Sequence, residues 1–322
     1  MHNTERMAFC YDFDKTLSPD DMQAYTFIPS VGMQSEAFFR EANDDAVRNR
    51  MDRNLAWMRK MLLEATRTGQ RLQRQTFRAM GAEVKLFPGL DTWFDRVNAY
   101  AASRGITVEH YVISSGLREM IEGSAIAPHL ARIYASSFYY DATDTAVWPA
   151  LAVNYTNKTQ FVYRIAKGAF DENDESVNRS RKPEELYIPY RNLVYLGDSE
   201  TDIPGMRVVQ HKGGHTVGVY NPDTDRRKTV YDLYLDKRLD FFAPADYRDG
   251  QPLYRLMTRL IDLAAARNAL DAETRALDRT VAPYAAYQTA RRAMHAGDAA
   301  ACEALAPLVK SLLDQVQGNV EG

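Results

Sequence analysis

The sequence predicts an α/β protein in which a mostly parallel sheet carries helices on both of its faces. Short apolar runs typical of buried strands alternate with longer segments whose apolar residues recur every three or four positions. This alternation indicates strand–helix–strand units. Two of the apolar runs, at 7–13 and 192–198, end in acidic residues. Because ligands of such sheets bind at the carboxyl ends of the strands, we expect these acids at the functional site.

The composition argues against several other classes of protein. A chain of 322 residues can form one large domain and a smaller one, and a formal net charge of −3 argues against a general nucleic-acid coat. The two cysteines, Cys10 and Cys302, match no disulfide framework and no CxxC metal pattern. The sequence has no apolar N-terminal signal segment and no apolar run of roughly 18 residues, so we expect a cytoplasmic protein with no membrane partner.

The first part of the chain is predicted to be one strand followed by helices. Residues 7–13 form the strand, and helical periodicity then extends from about residue 20 to residue 82. One face of this helical region is predicted to carry four apolar residues, Met51, Leu55, Met58 and Leu62. A turn at 87–90 closes the region, and a further helix is predicted over 91–104.

The rest of the chain repeats the alternation and ends in helices. A strand over 107–117 stops at a Ser-Ser-Gly corner, and an amphipathic helix over 157–168 is predicted to bury Phe161, Val162 and Ile165. A solvated loop is predicted at 171–183. Three strands follow it, at 192–198, 215–222 and 240–246. The helical tail from Pro252 has an apolar stripe and a later helix over 301–316 that Pro307 interrupts; the stripe is Leu253, Leu256, Met257, Leu260 and Ile261.

Four acidic residues make a plausible magnesium site. Asp12 and Asp14 stand two residues apart, so in extended backbone both side chains point the same way. Asp198 and Asp202 follow another apolar strand and supply further oxygen atoms. Mg²⁺ favours oxygen ligands, and two adjacent carboxylates at a buried strand end need such a cation to compensate their charge.

A serine and a lysine fit a phosphate group beside that metal. Ser114 lies at the glycine corner that it forms with Ser115 and Gly116, where a hydroxyl and exposed N–H groups can hold an anion. Lys158 begins a predicted helix and can place a positive charge over the same point. A phosphate dianion brought against an aspartate needs cations, and a divalent metal together with a lysine provides them.

In order and placement, these residues resemble the four motifs of the haloacid dehalogenase-like superfamily. The matching segments are the DFDKT stretch at 12–16, the strand that ends in Ser114, then Lys158, and the GDSETD stretch at 197–202. The resemblance covers roughly residues 7–219. It implies a doubly wound, Rossmann-like core, an aspartyl-phosphate intermediate and dependence on Mg²⁺.

The resemblance also implies catalytic roles. Asp12 would be the nucleophile, and Asp14 would protonate the leaving oxygen and later deprotonate the attacking water. Dehalogenating members of the superfamily lack the second aspartate, so Asp14 points to phosphoryl chemistry. Thr16 would orient Asp14, and Lys158 would neutralise charge.

The remaining motif residues would bind phosphate and metal. Ser114, with Ser115 and Gly116, would hold a phosphoryl oxygen. Asp198 would complete the magnesium shell with Asp12 and the backbone carbonyl of Asp14. Asp202 would lie behind the metal and engage Lys158 or a metal-bound water.

The helical insert between the first two motifs resembles the cap that closes over the site in phosphoserine phosphatase-like members. We therefore expect a core of residues 1–17 and 86–250, a cap of residues 18–85 and a C-terminal helical extension of residues 251–322. Little sequence separates the second and third motifs, so no additional cap is expected there.

Several residues have alternatives at this stage. Lys167 competes with Lys158, and Ser115 competes with Ser114. Asp21 lies near the position where phosphoserine phosphatases place a substrate-binding acid. Arginines of the cap are predicted to form a solvated helix face, and one or two of them could hold an anionic substrate. These arginines are Arg48, Arg50, Arg53, Arg59, Arg67, Arg71, Arg74 and Arg78.

The function predicted from these residues is Mg²⁺-dependent hydrolysis of a small phosphorylated metabolite, with no nucleic-acid partner. A phosphotransferase or phosphomutase would keep the same residues and differ in the acceptor that the cap admits. A non-catalytic phosphate-binding protein would keep the fold, but the intact set of Asp12, Asp14, Lys158 and Asp198 argues against it.

Overall fold

The computed structural model describes residues 5–296 together with Pro307 and Lys310, except for the side chains at 290, 293 and 294. The chain divides into two compact units, with the boundary between Ala264 and Ala265. The sheet, the helices that cover it and the cap all belong to the first unit. The helix predicted over 301–316 lies outside the described residues.

Among the described residues, seven strands form one sheet in the order β4-β3-β2-β1-β5-β6-β7. All neighbouring pairs are parallel except β3 and β4, which are antiparallel. This arrangement confirms the predicted α/β class with a mostly parallel sheet. The strands are β1 (Arg6–Tyr11), β2 (Thr107–Leu117), β3 (Arg132–Tyr140), β4 (Ala146–Leu151), β5 (Leu193–Gly197), β6 (His215–Tyr220) and β7 (Phe241–Pro244).

Helices lie between the strands and cover both faces of the sheet. They are α1 (Met22–Tyr25), α2 (Phe27–Ser30), α3 (Ser35–Asn49), α4 (Arg53–Arg67), α5 (Arg74–Ala82), α6 (Leu90–Ala102), α7 (Arg118–Gly123), α8 (Lys158–Lys167), α9 (Ile203–His211), α10 (Arg227–Leu235) and α11 (Pro252–His295). None of the described helices is long and apolar enough to cross a membrane.

The central strand β1 shows why helices are needed on both faces. Ala8 and Cys10 belong to one buried cluster with Phe161 of α8. Tyr11, which points to the other face, packs edge-on against Phe94 of α6. Successive side chains of a strand point in opposite directions, so β1, which is buried at every position from Met7 to Tyr11, must be covered on both sides.

The cap consists of helices α1 to α5, as its periodicity predicts, but the buried face of α4 is rotated from the predicted one. Of the four apolar residues expected on that face, only Met58 is buried, whereas Met51, Leu55 and Leu62 are half-buried. The buried face of α4 is centred on Trp57, Met58 and Met61. The indole ring therefore replaces the predicted leucines in the packing.

The β3–β4 hairpin was not foreseen in the sequence between the second and third motifs. Its turn contacts the cap, since the backbone N–H of Ala146 donates to the carbonyl oxygen of Leu72 at 2.8 Å and Arg74 pairs with Asp144 at 3.0 Å. The segment therefore extends the edge of the sheet and contacts the cap.

In the C-terminal part, the predicted apolar stripe is largely buried. Leu253, Met257, Leu260 and Ile261 of α11 are all at most 4 % exposed, whereas Leu256 is half-buried. The predicted loop at 171–183 contains a short 3-10 helix, Glu175–Asn178. Arg164 of α8 donates to backbone carbonyls of this loop, which fixes its path.

Candidate active site

The predicted site residues converge at the carboxyl ends of three neighbouring strands. Tyr11 at the end of β1 is in register with Val112 of β2 and with Leu196 of β5. The backbone N–H of Asp12 donates to the carbonyl oxygen of Leu196 at 2.9 Å, so the chain is held against β5 one residue beyond the strand. The connections from β1 and β5 leave to opposite sides here, and such switch points form ligand crevices in open α/β sheets.

Lys158 connects the first motif with the fourth. It is the first residue of α8, and its side chain is fully buried. Its Nζ atom lies 2.7 Å from Oδ1 of Asp202 and 3.1 Å from Oδ1 of Asp12. Burial alone would lower the pKa of this lysine, but the carboxylates of Asp12 and Asp202 raise it, so the side chain stays a cation.

Three buried aspartates form the candidate metal cluster. Asp12, Asp198 and Asp202 each offer a carboxylate oxygen, and these atoms all lie within 4.8 Å of one another. Burial, with the adjacent charge of Asp12, raises the pKa of Asp198 to about 6 and that of Asp202 to about 7. Oδ2 of Asp202 has no hydrogen-bond partner within the described chain. An all-oxygen donor set with excess negative charge fits a hard divalent cation such as Mg²⁺.

Gly197 gives Asp202 room to approach. A Cβ atom at this position would lie 2.4 Å from Oδ2 of Asp202, so any other residue would displace the carboxylate. Tyr195 holds the same group from the strand side, because its hydroxyl donates to Oδ1 at 3.2 Å. Asp202 is thereby kept beside Lys158.

Asp14 is partly buried, and its environment favours the protonated form. Burial raises the pKa of this carboxyl group well above its usual value, and the charges of Asp21 and Asp12 add to the effect. Its Oδ1 atom accepts a hydrogen bond of 2.9 Å from the backbone N–H of Met22, at the start of the cap. A carboxyl group whose pKa is raised keeps its proton to higher pH and can therefore protonate a leaving group.

Thr16 does not hold Asp14 as the resemblance implies. Its buried hydroxyl has no hydrogen-bond partner among the residues that the structure describes. Instead, the backbone carbonyl of Thr16 accepts a hydrogen bond of 2.7 Å from the hydroxyl of Tyr247. Asp14 is oriented by the backbone of Met22, eight residues further along the chain, because that N–H reaches its carboxylate and the threonine hydroxyl does not.

The Ser-Ser-Gly corner is an irregular end of β2. The pairing of β2 with β3 shifts register between Ser114 and Leu117, which bends the backbone there. The N–H of Gly116 donates to Oγ of Ser114 at 3.0 Å, so the hydroxyl proton of Ser114 remains available. The carbonyl of Ser115 accepts from Ser136, and all three corner residues line the same cavity.

The structure separates Lys158 from its rival in the same helix. Lys167 donates to the backbone carbonyls of Val177 and Arg179, in the loop at the other end of α8. A helix of ten residues is about 15 Å long. The two lysines therefore stand at opposite ends, and only Lys158 is beside Asp12.

A cavity of about 290 Å³ lies over the carboxylates, and the cap forms part of its wall. The cap residues around it are Gln23, Phe39, Ala42, Asn43, Arg53, Asn54 and Trp57. The eight arginines named in the sequence analysis are all exposed, in agreement with a solvated helix face, and of these only Arg53 is among the residues that line this cavity. The prediction that one arginine could meet an anionic substrate therefore concerns Arg53.

Two charged residues of the cavity were missed or left open by the sequence analysis. Nη1 of Arg226 lies 3.1 Å from Oδ2 of Asp198, and no spacing rule links a residue before α10 with the end of β5. Asp21 lines the cavity as well, but its carboxylate is paired with Nζ of Lys15 at 2.6 Å. Burial lowers the pKa of Lys15, and the adjacent charge of Asp21 more than offsets this, so the pKa is raised.

The chain is similar to a known protein family and to a protein of another organism. A family model described as haloacid dehalogenase-like hydrolase matches residues 9–207, which include all four motifs. The chain is 26 % identical over 291 residues to an uncharacterized protein of Borreliella burgdorferi, covering 80 % of this chain and 97 % of that protein.

Two solved structures are also similar. A probable phosphoserine phosphatase from Vibrio cholerae has a TM-score of 0.51 at 11 % identity, over 83 % of this chain and 68 % of that one. A hydrolase of the same family from Salmonella enterica serovar Typhi has a TM-score of 0.49 at 15 % identity, over 73 % of this chain and 66 % of that one. At these identities, the first likeness supports the fold.

Proposed function

This chain belongs to the haloacid dehalogenase-like hydrolase family, and we propose that it is a Mg²⁺-dependent phosphatase that acts on a small phosphate monoester through an aspartyl-phosphate at Asp12. The observation that carries this proposal is the contact of buried Lys158 with both Asp12 and Asp202, beside Asp198. This set combines a nucleophile, a fixed cation and oxygen ligands for a metal. The cysteine content favours the cytoplasm as the place of action.

In the first step, a carboxylate oxygen of Asp12 attacks phosphorus and the bond from phosphorus to the ester oxygen breaks. Oδ1 of Asp12 accepts from Lys158 and from the backbone N–H of Phe13 at 2.8 Å. We assign the attack to Oδ2, for which the described residues provide no hydrogen-bond donor. Asp14 donates its proton to the departing oxygen, which leaves as an alcohol.

In the second step, Asp14 accepts a proton from a water molecule, and the resulting hydroxide attacks phosphorus of the aspartyl-phosphate. Inorganic phosphate leaves, and Asp12 is regenerated as a carboxylate. The raised pKa of Asp14 suits both directions of proton transfer, because it favours the protonated acid before the first step and makes the carboxylate a stronger base in the second.

The phosphoryl group is positioned by groups at the ends of the strands. The hydroxyl of Ser114 accepts from Gly116 and can donate its own proton to a phosphoryl oxygen. Mg²⁺, held by Asp12, Asp198 and the backbone carbonyl of Asp14, would neutralise phosphoryl charge when it is bound. Lys158 supplies the second positive charge at Oδ1 of Asp12.

Hydrolysis of an aryl phosphate with and without Mg²⁺ tests this proposal. We expect phosphate release that requires Mg²⁺ and that disappears in Asp12→Asn. Asp44→Asn is the matched control, because Asp44 is an exposed residue of α3 that does not line the cavity. Turnover that survives in Asp12→Asn would overturn the mechanism. Mg²⁺ binding without any turnover would favour a phosphotransferase that lacks its acceptor or a binding protein.

A further inference from the structure

Outside the catalytic cluster, the cavity has no free carboxylate among the described residues that line it. Four acids line the cavity: Asp12, Asp14, Asp198 and Asp21. The first three belong to the catalytic cluster. Both carboxylate oxygens of Asp21 lie 2.6 Å from Nζ of Lys15, so this acid is already neutralised. To pair with Asp21, a substrate ammonium group would have to displace Lys15, which is part of the same chain.

The cap instead offers a neutral hydrogen-bonding group. Gln23 of α1 is only 2 % exposed and lines the cavity. Its side-chain amide makes no hydrogen bond within the described part of the chain. The amide atoms of Gln23 are not among the fully enclosed atoms without a partner in the described chain, so water in the cavity can reach them. A ligand that displaces this water must supply a donor and an acceptor in its place. Such a group discriminates strongly between ligands that satisfy it and ligands that do not.

The neighbouring amide of the cap is already used by the protein. Oδ1 of Asn54 accepts from Nε1 of Trp57 at 3.2 Å, and its Nδ2 donates to the carbonyl of Val153. The indole ring of Trp57 is thus held in place and provides a flat apolar wall. Gln23 therefore remains as the buried amide that is open to a ligand.

One cation of the cavity is also open. Lys15 pairs with Asp21 and Arg226 pairs with Asp198. Arg53, at the first position of α4, lines the cavity without an acidic partner in the described chain. An anionic group on the leaving group would meet this guanidinium on the cap side.

We propose that Gln23 is a specificity-determining residue, and that the cavity selects phosphate esters whose leaving group carries a neutral hydroxyl or carbonyl and an anionic group, rather than an ammonium group. This inference rests on the proposed phosphatase function and names its class of substrate. Gln23 hydrogen-bonds the neutral polar group, and Arg53 pairs with the anion.

Two phosphate esters that differ at one atom test the neutral group. Glycerate 3-phosphate and O-phosphoserine, both racemic, share the phosphate and the carboxylate. They differ in one substituent, which is a hydroxyl group in glycerate 3-phosphate and an ammonium group in O-phosphoserine. We expect kcat/KM to be at least about tenfold higher for glycerate 3-phosphate, the size of one well-placed hydrogen bond to a buried group. A preference for O-phosphoserine, equal rates, or no turnover of either compound would overturn the inference.

Variants of Gln23 test whether its side chain causes this preference. Gln23→Leu should lower the ratio of the two kcat/KM values about tenfold, and Gln23→Glu should reverse the preference, because a carboxylate attracts the ammonium group. Thermal unfolding checks that both variants fold. Gln34→Leu and Gln34→Glu are the matched controls, since Gln34 is exposed and caps no helix through its side chain. A ratio that stays unchanged in both Gln23 variants contradicts the assignment.

The anion is tested separately with glycerol 3-phosphate, which replaces the carboxylate of glycerate 3-phosphate with a hydroxymethyl group. Wild-type protein should prefer glycerate 3-phosphate, and Arg53→Gln should remove that preference. Hydrolysis of the aryl phosphate shows whether the proposed function fails or only the inference about the substrate. If wild type does not release phosphate from it, the proposed function fails and the inference fails with it. If it does, and the preferences are absent, only the inference fails.

Discussion

At the scale of single residues, the site depends on how several charges can be buried at one point. Asp12, Asp198 and Asp202 are at most 7 % exposed, and unpaired carboxylates in such surroundings are costly. Lys158 offsets part of this cost through its contacts with Asp12 and Asp202. The protein therefore needs this lysine both for stability and, in our proposal, for catalysis.

Replacing Lys158 tests this dual role. Lys158→Met should abolish phosphate release and lower the free energy of unfolding by about 3–5 kcal/mol, because it leaves two buried acids without their cation. Lys167→Met is the control in the same helix: it removes two hydrogen bonds to a loop and should cost about 1–2 kcal/mol with turnover retained. Urea unfolding and aryl phosphate assays measure both. Loss of turnover in Lys167→Met alone would contradict the choice of lysine.

His110 gives the protein a predictable pH dependence. It is buried on β2, where the hydroxyl of Tyr11 donates to Nδ1 and Nε2 donates to Oδ1 of Asn98, each at 3.0 Å. Trp93 donates to the same tyrosine hydroxyl, which leaves the tyrosine proton for the histidine. These hydrogen bonds satisfy both nitrogen atoms of the neutral His110 ring. Burial, with a smaller contribution from His129, lowers the pKa of His110 to about 3.

The unfolded chain binds a proton at His110 below about pH 6.5, whereas the native protein does not until the pH approaches 3. The free energy of unfolding should therefore fall as the pH decreases below 6.5. Between pH 7 and pH 5, this one group should remove about 2 kcal/mol. We expect His110→Gln, although less stable at pH 7, to show a loss smaller by that amount in urea titrations at the two pH values. Equal losses in both proteins would show that folding does not lower the pKa of His110.

At the scale of elements, the first turn of α4 connects the cap with the segment that leads to Lys158. Asp52 caps α4, since its Oδ1 accepts from the N–H groups of Asn54 and Leu55 at 2.8 and 3.1 Å. Its other oxygen accepts from Nδ2 of Asn154 at 2.8 Å. One carboxylate therefore both starts a cap helix and holds the segment before α8.

Two substitutions separate these roles of Asp52. Asp52→Ser keeps a capping oxygen and loses the contact with Asn154, whereas Asp52→Ala loses both. We expect a loss of about 1 kcal/mol for the serine variant and about 2 kcal/mol for the alanine variant. Hydrogen exchange of the α4 amides should increase more in the alanine variant. Equal exchange in both variants would mean that capping does not limit the opening of this helix.

At the scale of the whole molecule, α11 contributes to the first compact unit through its first turns. Leu253, Met257 and Ile261 are fully buried, and Asp262 accepts a hydrogen bond of 2.9 Å from the hydroxyl of Tyr100. Further along the helix, apolar side chains such as Leu270 and Leu277 are more than half exposed, at 68 % and 65 %. The burial that supports the core thus ends near Ala264.

Shortening the chain tests this limit. A chain that ends at Ala264 should unfold cooperatively, with a melting temperature close to that of the full chain, and should keep aryl phosphate turnover. A chain that ends at Gln251 loses Leu253, Met257, Leu260 and Ile261 from the core. At about 2–5 kcal/mol for each large buried side chain, this loss matches a typical total stability of about 5–15 kcal/mol. We expect no cooperative transition; a melting curve like that of the longer chain would contradict the role of α11.

The sequence by itself determined the class of the fold and the residues at the strand ends. Apolar runs and three-to-four-residue periodicity are local signals, and the helical ranges of 157–168 and 91–104 differ from α8 and α6 by no more than two residues at either end. Asp12, Asp14 and Asp198 could be selected because a strand end followed by acids is visible in a short stretch of sequence.

Only the tertiary structure decided between residues whose partners are distant in the chain. The β3–β4 hairpin, the pairing of Arg226 with Asp198 and that of Lys15 with Asp21, and the unpartnered amide of Gln23 depend on how the cap and the sheet meet. Lys158 and Lys167 stand at opposite ends of the same helix, and the fold decides which end of α8 faces the carboxylates. Spacing along a chain specifies local geometry, whereas charge pairing and burial across the cavity arise from long-range packing, which no local pattern encodes.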